Sequence, residues 1–333
     1  MKALVCRQFG DLDNLRIEDF PAPVITPTQV RVSMRAAGVG FMDTLMANGL
    51  YQLKPDLPYV PGAVGAGVVT EIGSQVTGIQ VNDRVSFLNY FGAFAEEVAT
   101  EAHTVVKIAD SMDFAQGATF RLSYTPAYLA LKTRANLQPG EVLLVTGASG
   151  GVGHAAVQLG KLMGATVIGS VGRDEKIDIV KGFGADHVIN HSTENLKDRV
   201  KELTDGRGAD VILDLIGGDV FDQTLRCVNF LGRIIVMGFT SGRIPQIPAN
   251  LVLLKNCSIL GVFLGGWMTR DPAASMKLNQ ELAELAQKGG LHTHISHRFS
   301  LDDAVKAMHT LRSRDTVGKV VLDIAPKATQ EIQ

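Results

Sequence analysis

Apolar and polar residues follow two different patterns along the chain, and the change comes near residue 125. Before it, short runs such as 29–36 (QVRVSMRA) and 65–72 (GAGVVTEI) mix valine with alternating polar residues, which predicts strands with one exposed face. Six of the twelve prolines precede Gly62, which favours turns and sheet edges over long helices. We therefore expect a β-rich region over the first 120 residues.

From about residue 125 to 265, nearly continuous apolar runs alternate with amphipathic segments such as 152–163 and 194–204. The apolar runs are short and rich in β-branched residues, as buried strands are. They are 141–147, 166–171, 187–190, 211–217, 233–238 and 258–263. Buried strands separated by helices predict an α/β fold with a doubly wound parallel sheet.

The last segment, 266–333, predicts two helices and two strands. One helix begins at Asp271, a capping residue followed by Pro272, and ends at two glycines, 289 and 290. The second helix begins at Ser300, and a strand over 318–324 closes the chain.

Length, charge and cysteine content narrow the class of protein. The 333 residues are roughly twice the ~150-residue prior for one domain, so two domains are expected. A net charge of −2 argues against a polycationic nucleic-acid-binding surface. Three scattered cysteines make no disulfide framework, and no run of 18 apolar residues or signal-peptide core is visible. We expect a cytoplasmic protein that binds neither membrane nor nucleic acid.

A glycine-rich turn, 147–153 (GASGGVG), joins the first predicted strand of the sheet to a helix. Its first glycine permits a tight turn, its middle glycines let the backbone approach a pyrophosphate, and Gly153 permits close helix–strand packing. The helix N-terminus then presents free N–H groups to the phosphates. The motif predicts a dinucleotide site, whose contacts are Ser149, Gly150, Gly151 and Val152.

The same residues also satisfy GxSxG, the nucleophile elbow of α/β-hydrolases. In that alternative, Ser149 would be the nucleophile, with Asp214 and His294 as candidate partners. The third glycine of the turn, Gly153, is not needed for an elbow and favours the dinucleotide interpretation.

The end of the next strand indicates which dinucleotide is bound. An NAD site usually places Asp or Glu about 20 residues after the glycines, against the ribose 2′-hydroxyl. Here that position is Gly172, followed by Arg173 and Lys176. Cations at this place suit a 2′-phosphate, which predicts NADP(H). The neighbouring Asp174 and Glu175 keep NAD(H) open.

Several motifs together resemble the medium-chain dehydrogenase/reductase superfamily, and within it the zinc-independent, zeta-crystallin-like quinone oxidoreductases. They are LQPGEVLLVTGASGGVG, GFGADHVIN, VILDLIGG, GRIIVMGFTSG, AAGVGFMDTLMANGLY and PGAVGAGVVTEIGSQVTGIQVNDRVSF. The resemblance covers nearly the whole chain. It implies a GroES-like catalytic domain in two pieces, 1–122 and 266–333, a Rossmann domain over 123–265, an active site in the cleft, and a homodimer often built by pairing Rossmann edge strands.

The resemblance also bears on metal binding. Zinc alcohol dehydrogenases of this superfamily carry Cys-His in one motif and Gly-His-Glu in another, where this chain has Gly40-Phe41 and 62–64 (GAV). A catalytic zinc needs about three N, S or O ligands from the protein, so no metal is expected. We expect His292, His294 and His297 to lie on a partly exposed strand near a turn instead.

The activity that the resemblance implies is hydride transfer from NADPH to a quinone or an α,β-unsaturated carbonyl. Tyr51 is the candidate proton donor or carbonyl-binding residue. Asp43 matches the aspartate of the family's NFxD motif, which reads GFMD here, so the family's asparagine is Gly40. Alternatives are an enoyl-thioester reductase of the same superfamily and an NADPH-binding protein without turnover.

Further cofactor contacts are implied position by position. The resemblance places one residue near the nicotinamide ribose, one near the 2′-phosphate, and others along the dinucleotide or at the C-terminal contact. In chain order they are Thr125, His191, Phe239, Thr240, Phe263 and Lys319.

Overall fold

Two units, each built on its own sheet, make up the computed structural model of the chain, which describes residues 1–108, 110, 112–313 and 315–325. The first unit comprises Met1–Leu122 and the segment from His294 onwards, and the second comprises Ser123–Thr293. Within the described residues, the strands are β1 (Lys2–Val5), β2 (Arg16–Asp19), β3 (Gln29–Val39), β4 (Val64–Ile72), β5 (Arg84–Leu88), β6 (Glu97–Glu101), β7 (Val105–Lys107), β8 (Val142–Thr146), β9 (Thr166–Val171), β10 (His187–Asn190), β11 (Ala209–Asp214), β12 (Val228–Val236), β13 (Ser258–Gly261), β14 (Ile295–Ser300) and β15 (Lys319–Asp323).

The α-helices of the described residues follow the same chain order. They are α1 (Phe41–Ala47), α2 (Phe114–Tyr128), α3 (Gly151–Leu162), α4 (Ile177–Gly182), α5 (Leu196–Glu202), α6 (Gly218–Cys227), α7 (Ala249–Lys255), α8 (Leu264–Arg270), α9 (Pro272–Gln287) and α10 (Ala304–Arg312). The boundary between the two units falls inside α2, which continues as a π-helical turn over Leu129–Arg134.

The first unit is built around β3, the long strand that the alternating pattern predicts. Val30, Val32 and Met34 of β3 are fully buried, while the residues between them are partly exposed. The sheet runs in the order β14-β15-β3-β4-β5-β7, and β6 pairs with β3 as well. The C-terminal strand β15 lies antiparallel to β3, with Val320 opposite Val39. The strand at 319–323 is therefore placed beside β3, although nearly 300 residues of sequence separate the two.

The second unit carries the parallel sheet that the continuous apolar runs predict. Its order is β10-β9-β8-β11-β12-β13, and all of its pairs are parallel. Leu144, Ile168, Ile212 and Ile234, from four neighbouring strands, form its buried core with helical residues. From β8 the chain first adds β9 and β10 on one side of the sheet; β11, β12 and β13 then follow on the other side of β8. The predicted α/β fold, a Rossmann sheet plus a β-rich GroES-like unit, is confirmed.

The assignment of the segment 266–293 differs between the structure and the predicted domain boundaries. The prediction ends the Rossmann domain at residue 265, whereas the division by contacts groups 266–293 with the second unit. Helix α9 is bound there by two side-chain contacts: Thr125 Oγ1 donates to Asn279 Oδ1 over 3.0 Å, and Lys132 pairs with Glu281. These contacts join the helix to the segment that follows Leu122, although the two segments are far apart in sequence.

Candidate functional site

The glycine turn lies between the end of β8 and the start of α3, at the carboxyl edge of the parallel sheet. Gly147 has a φ of +66°, and a Cβ added to Gly153 would lie 2.1 Å from the carbonyl oxygen of Gly147. Helix α3 starts after Gly150, which has no side chain to cap the first N–H groups. Those N–H groups stay available for an anion, so the turn has the space and the donors that a pyrophosphate requires.

The position of this turn in the sheet matches a ligand crevice. Strand order reverses between β8 and β11, and in open α/β sheets ligands bind outside the carboxyl ends of the strands at such a switch point. Thr146, the last residue of β8, donates from Oγ1 to Asp214 Oδ1 over 2.8 Å, and the Gly217 N–H donates to Asp214 Oδ2 over 2.9 Å. This buried carboxylate thus joins the two strands that flank the crevice.

The same contacts bear on the serine hydrolase alternative. Both oxygens of Asp214 accept hydrogen bonds from Thr146 and a backbone N–H, and neither accepts one from a histidine in the described residues. Burial raises the pKa of Asp214, while the Thr146 hydrogen bond opposes that rise. His294 belongs to the other unit. Ser149 therefore lacks an assembled triad within its own unit.

His191, directly after β10, lies beside the end of β9, where its N–H donates to the Val171 carbonyl over 2.9 Å. A Cβ added to Gly172 would lie 3.3 Å from His191 Nε2, and His191 Nδ1 lies 2.8 Å from Ser170 Oγ. Burial lowers the pKa of His191. The ring is therefore neutral near pH 7, with one nitrogen paired to Ser170 and the other directed towards Gly172.

The charged residues after Gly172 divide into two groups. Asp174, the acid that kept NAD(H) open, accepts a hydrogen bond at Oδ1 from Asn190 Nδ2 over 2.7 Å. Arg173 is exposed, with Nη1 3.7 Å from Glu175 Oε1, and Lys176 is 8% exposed. Sequence reasoning missed Asn190; its only signal is a polar residue at the end of an apolar strand.

The loop after β12 lies over the turn that follows β11. Gly217 has a φ of +69°, and a Cβ there would lie 3.0 Å from Phe239 Cδ1. Thr240 Oγ1 donates to the Leu215 carbonyl over 3.1 Å. Phe239 is 38% exposed and Phe263, after β13, is 56% exposed. The loops with Phe239, Thr240 and Phe263 thus follow the carboxyl ends of β12 and β13, on the same sheet edge as the glycine turn.

Two of the residues implied by the resemblance are buried. Thr125 is 1% exposed and bonded to Asn279, and Lys319 is 6% exposed with Nζ 3.3 Å from the Val39 carbonyl oxygen to which it donates. Asp43, 2% exposed, provides the opposite charge near Lys319. The structure thus brings Lys319 to Asp43, although 275 residues separate them.

The electrostatics of Asp43 follow from its burial. The Gly40 N–H at the start of α1 donates to Asp43 Oδ2 over 2.7 Å, whereas Oδ1 has no hydrogen-bond partner among the described residues. Burial raises the pKa of Asp43 to about 6, against the opposing effects of the Gly40 N–H and the Lys319 charge. Burial lowers the pKa of Lys319 to about 8, and Asp43 opposes it. Each charge thus favours the ionised form of the other group, against the burial of both.

Tyr51 lies close to this pair and is half-buried. Burial raises the pKa of its phenol, and the neighbouring Tyr90 and Asp43 raise it further. Tyr59, which sequence reasoning missed, is 5% exposed and packs edge-on against Phe91 at 5.9 Å between ring centroids. Tyr51 and Tyr59 thus both lie close enough to Asp43 for its charge to raise the pKa of their phenols.

The positions that hold zinc in related enzymes carry no ligand side chains here. A Cβ added to Gly62 would meet Phe94 at 2.5 Å, so the backbone there is packed against a ring. Within the part of the chain that the structure describes, the cluster of three metal-ligating types is Asp11, Asp13 and His309. His297 stacks on Phe299, and the histidines of 292–297 form no such cluster. Among the described residues, no helix combines the length and apolarity that crossing a membrane requires.

The sheet order, the switch-point glycine turn and the separate β-rich unit define a class: dinucleotide-binding α/β proteins with a GroES-like unit. The family model for the alcohol dehydrogenase GroES-like domain matches residues 26–110, and that for zinc-binding dehydrogenases matches residues 151–280.

Comparison with individual proteins narrows this class. The chain is 43% identical to a quinone oxidoreductase-like protein 2 homolog from Nematostella vectensis, over 97% of this chain and 88% of that one. It is 35% identical to a quinone oxidoreductase from Pseudomonas aeruginosa, over 94% and 97% of the two chains. A crystal structure of Escherichia coli quinone oxidoreductase complexed with NADPH superposes with a TM-score of 0.90 at 29% identity, covering 97% of this chain and 100% of that one.

The chain belongs to the medium-chain dehydrogenase/reductase superfamily, in its quinone oxidoreductase branch. The resemblance predicted from the motifs is thereby confirmed.

Proposed function

We propose that this protein is an NADPH-dependent oxidoreductase that transfers a hydride to a quinone or an α,β-unsaturated carbonyl without a metal ion. The observation that carries the proposal is the glycine turn at the switch point, where Gly153 approaches the Gly147 carbonyl so closely that no side chain fits. Such a turn leaves bare backbone and a helix N-terminus for a pyrophosphate. The NADPH complex of the Escherichia coli quinone oxidoreductase supports the choice of cofactor.

The cofactor-binding residues of the proposal fall into two sets. Ser149, Gly150, Gly151 and Val152 would hold the pyrophosphate. The 2′-phosphate would be bound by Arg173, Lys176 and His191, while Phe239, Thr240 and Phe263 would line the dinucleotide. Gly172 supports the preference for a 2′-phosphate because it carries no acid to repel one.

For Thr125 and Lys319 we propose indirect roles. Their side chains are bonded to Asn279 and to the Val39 carbonyl, so neither is directed to a ligand in its present conformation. Thr125 would hold α9 in place, and Lys319 would keep Asp43 ionised beside Gly40. Both would shape the site through the groups that they position.

The nicotinamide, when bound, supplies a hydride. The acceptor then needs one proton at its oxygen or at the carbon next to its carbonyl. The Tyr51 phenol would provide that proton: it is protonated at neutral pH, and its raised pKa restricts donation to a strongly basic acceptor such as the enolate formed by hydride addition. The carboxylate of Asp43 disfavours a phenolate nearby, so reprotonation of Tyr51 from solvent follows each transfer.

The proposal extends to assembly and compartment. Strand β13 ends the parallel sheet, and β12 is its only partner among the described strands. Apolar residues before it are exposed, including Leu253 at 73% and Leu254 at 67%, which suits a second copy paired at this edge. A homodimer by sedimentation analysis is expected. All three cysteines are buried and free, in keeping with a reducing cytoplasm.

The test is oxidation of NADPH, followed by its absorbance, against a panel of quinones, 2-alkenals and enoyl thioesters. Turnover of quinones or enals is expected, whereas selective turnover of enoyl thioesters would assign the alternative reductase activity. NADPH binding with no turnover of any acceptor would make the chain a binding protein and refute the proposal. A serine-reactive probe is expected to leave Ser149 unlabelled; labelling there would favour the hydrolase.

A further inference from the structure

Arg121, on α2 in the first unit, is a buried cation that pairs with no carboxylate of the described residues. The residue is 8% exposed. Its Nη1 donates to the Thr104 carbonyl over 2.6 Å, and its Nε is buried with no hydrogen-bond partner among the described residues. A guanidinium has five N–H donors in a planar fork. One buried donor of this side chain, the Nε–H, is therefore unsatisfied by the described residues.

Other partly buried arginines of the chain are compensated differently. Arg31 pairs with Glu71 over 2.9 Å, and Arg233 forms two hydrogen bonds to Glu141. Burial lowers the pKa of Arg121 to about 10, and no acidic side chain raises it. The group is still a cation at neutral pH. Because a buried charge is costly unless it is paired, binding of an anion would be favoured at Arg121.

Leu122, which follows Arg121 on α2, packs on the backbone of the Asp43 site. Leu122, the next residue along the helix, has its Cδ2 3.3 Å from the position that a Cβ on Gly40 would take. Asp43 Oδ2 is 3.3 Å from that same position and accepts the Gly40 N–H. The last turn of α2 in the first unit therefore packs directly on the backbone that holds Asp43.

A second route of contacts leads to the same place. Thr104, whose carbonyl accepts from Arg121, has its Oγ1 2.8 Å from Thr100 Oγ1, and Thr100 Oγ1 donates to Asn89 Oδ1 over 2.8 Å. The Asn89 N–H donates to the Ala63 carbonyl over 2.7 Å. The Ala63 N–H in turn lies close enough to Asp43 to lower its pKa. A series of hydrogen bonds thus connects Arg121 to the backbone around Asp43, within the first unit.

We propose that Arg121 is an oxyanion-binding residue that receives the carboxylate or phosphate group of the acceptor. A planar guanidinium fork matches those two anions bidentately, and charge-assisted hydrogen bonds to it are strong. The preferred acceptor would then be a conjugated carbonyl compound with an anionic substituent. That identity rests on the proposed function, whereas the anion site does not.

The anion site is tested by thermal unfolding of the apoprotein in sodium benzoate and in sodium chloride at equal ionic strength. Benzoate is expected to raise Tm in the wild type and in Arg31→Met, the matched control at a paired arginine. Arg121→Met should lose the benzoate-dependent rise, and its Tm in chloride should not fall, because an unpaired buried charge has been removed. The proposal would be overturned if benzoate did not raise the Tm of the wild type, or if it raised the Tm of Arg121→Met by the same amount.

The acceptor is tested with benzylideneacetone and its 4-carboxy derivative, using NADPH. Arg121→Met is expected to lower kcat/KM for the carboxylate by about 10-fold to 100-fold relative to the neutral compound, and Arg121→Lys to restore part of the difference. Because the variants are compared on both acceptors, the intrinsic reactivity of each cancels. An equal loss on both would mean that Arg121 only supports the fold. If the wild type reduces neither, the proposed function fails, while the benzoate result still decides the anion site.

Discussion

The substitution Gly153→Ala tests the glycine turn most directly. The added Cβ would lie 2.1 Å from the Gly147 carbonyl oxygen and 2.8 Å from Ala148 Cα, and both are backbone atoms that cannot rotate away. Reaching an ordinary contact of roughly 3.5 Å requires the first turn of α3 or the Gly147 carbonyl to move by more than about 1 Å. Misplacement of that size can cost on the order of 100-fold where positioned groups bind or react.

We therefore expect Gly153→Ala to weaken NADPH binding by about 10-fold to 100-fold. Overpacking of this kind should also lower the free energy of unfolding by about 1 to 3 kcal/mol. Binding is measured by fluorescence titration with NADPH, and stability by urea unfolding with the m-value held common to both proteins.

The matched control is Gly182→Ala at the end of α4. A Cβ there meets nothing within 4 Å, and the backbone does not have a positive φ. Alanine should therefore stabilise the protein by about 0.5 to 1 kcal/mol and leave NADPH affinity unchanged. If Gly153→Ala binds NADPH within twofold of the wild type, the turn is not the pyrophosphate cradle, and the reasoning is refuted.

Three further predictions concern other parts of the molecule. Arg173→Ala should lower the ratio of kcat/KM for NADPH to that for NADH by about tenfold; an unchanged ratio would remove Arg173 from the 2′-phosphate site. The pKa of Asp43 is raised to about 6 in the folded protein, so the folded state binds a proton more readily than the unfolded state. The free energy of unfolding of the wild type, measured in urea, should therefore rise by roughly 1 kcal/mol from pH 7 to pH 5 relative to that of Asp43→Asn. Parallel pH profiles of the two proteins would contradict this. Gln158→Leu removes the hydrogen-bond acceptor of the Tyr124 hydroxyl and two hydrogen bonds to the His292 backbone. The free energy of unfolding, measured in urea, should therefore fall by about 1 to 3 kcal/mol. An unchanged free energy would show that these hydrogen bonds are dispensable.

The parallel sheet could be predicted from the sequence because its signals are local. Each apolar run carries its own strand, and the glycines between runs mark the turns, so no knowledge of distant contacts is needed. The strand order β10-β9-β8-β11-β12-β13 follows from right-handed crossovers once the switch-point motif is found. The glycine turn and its proposed ligands belong to the same local information.

The position of Lys319 could not be predicted in this way. Its side chain reaches Asp43 because β15 pairs antiparallel with β3, with Val320 opposite Val39. That register is a tertiary property, and one step of slippage would turn every side chain of β15 to the opposite face. The side of the fold to which 266–293 belongs is also tertiary, since it depends on contacts such as that between Asn279 and Thr125.

The polar groups around Gly40 and Asp43 differ from the family pattern. Gly40 stands where the family motif NFxD has an asparagine; it carries no side-chain amide, and its backbone N–H donates to Asp43. Lys319 cannot replace the amide, because Asp43 balances its charge and its Nζ donates to the Val39 carbonyl. Among these groups, Arg121 retains both an uncompensated charge and a buried donor that the described residues leave unsatisfied. We therefore expect Arg121 to orient the acceptor through an anionic substituent rather than through the reacting carbonyl. Two acceptors that differ only in a carboxylate should distinguish binding of the substituent from binding of the carbonyl.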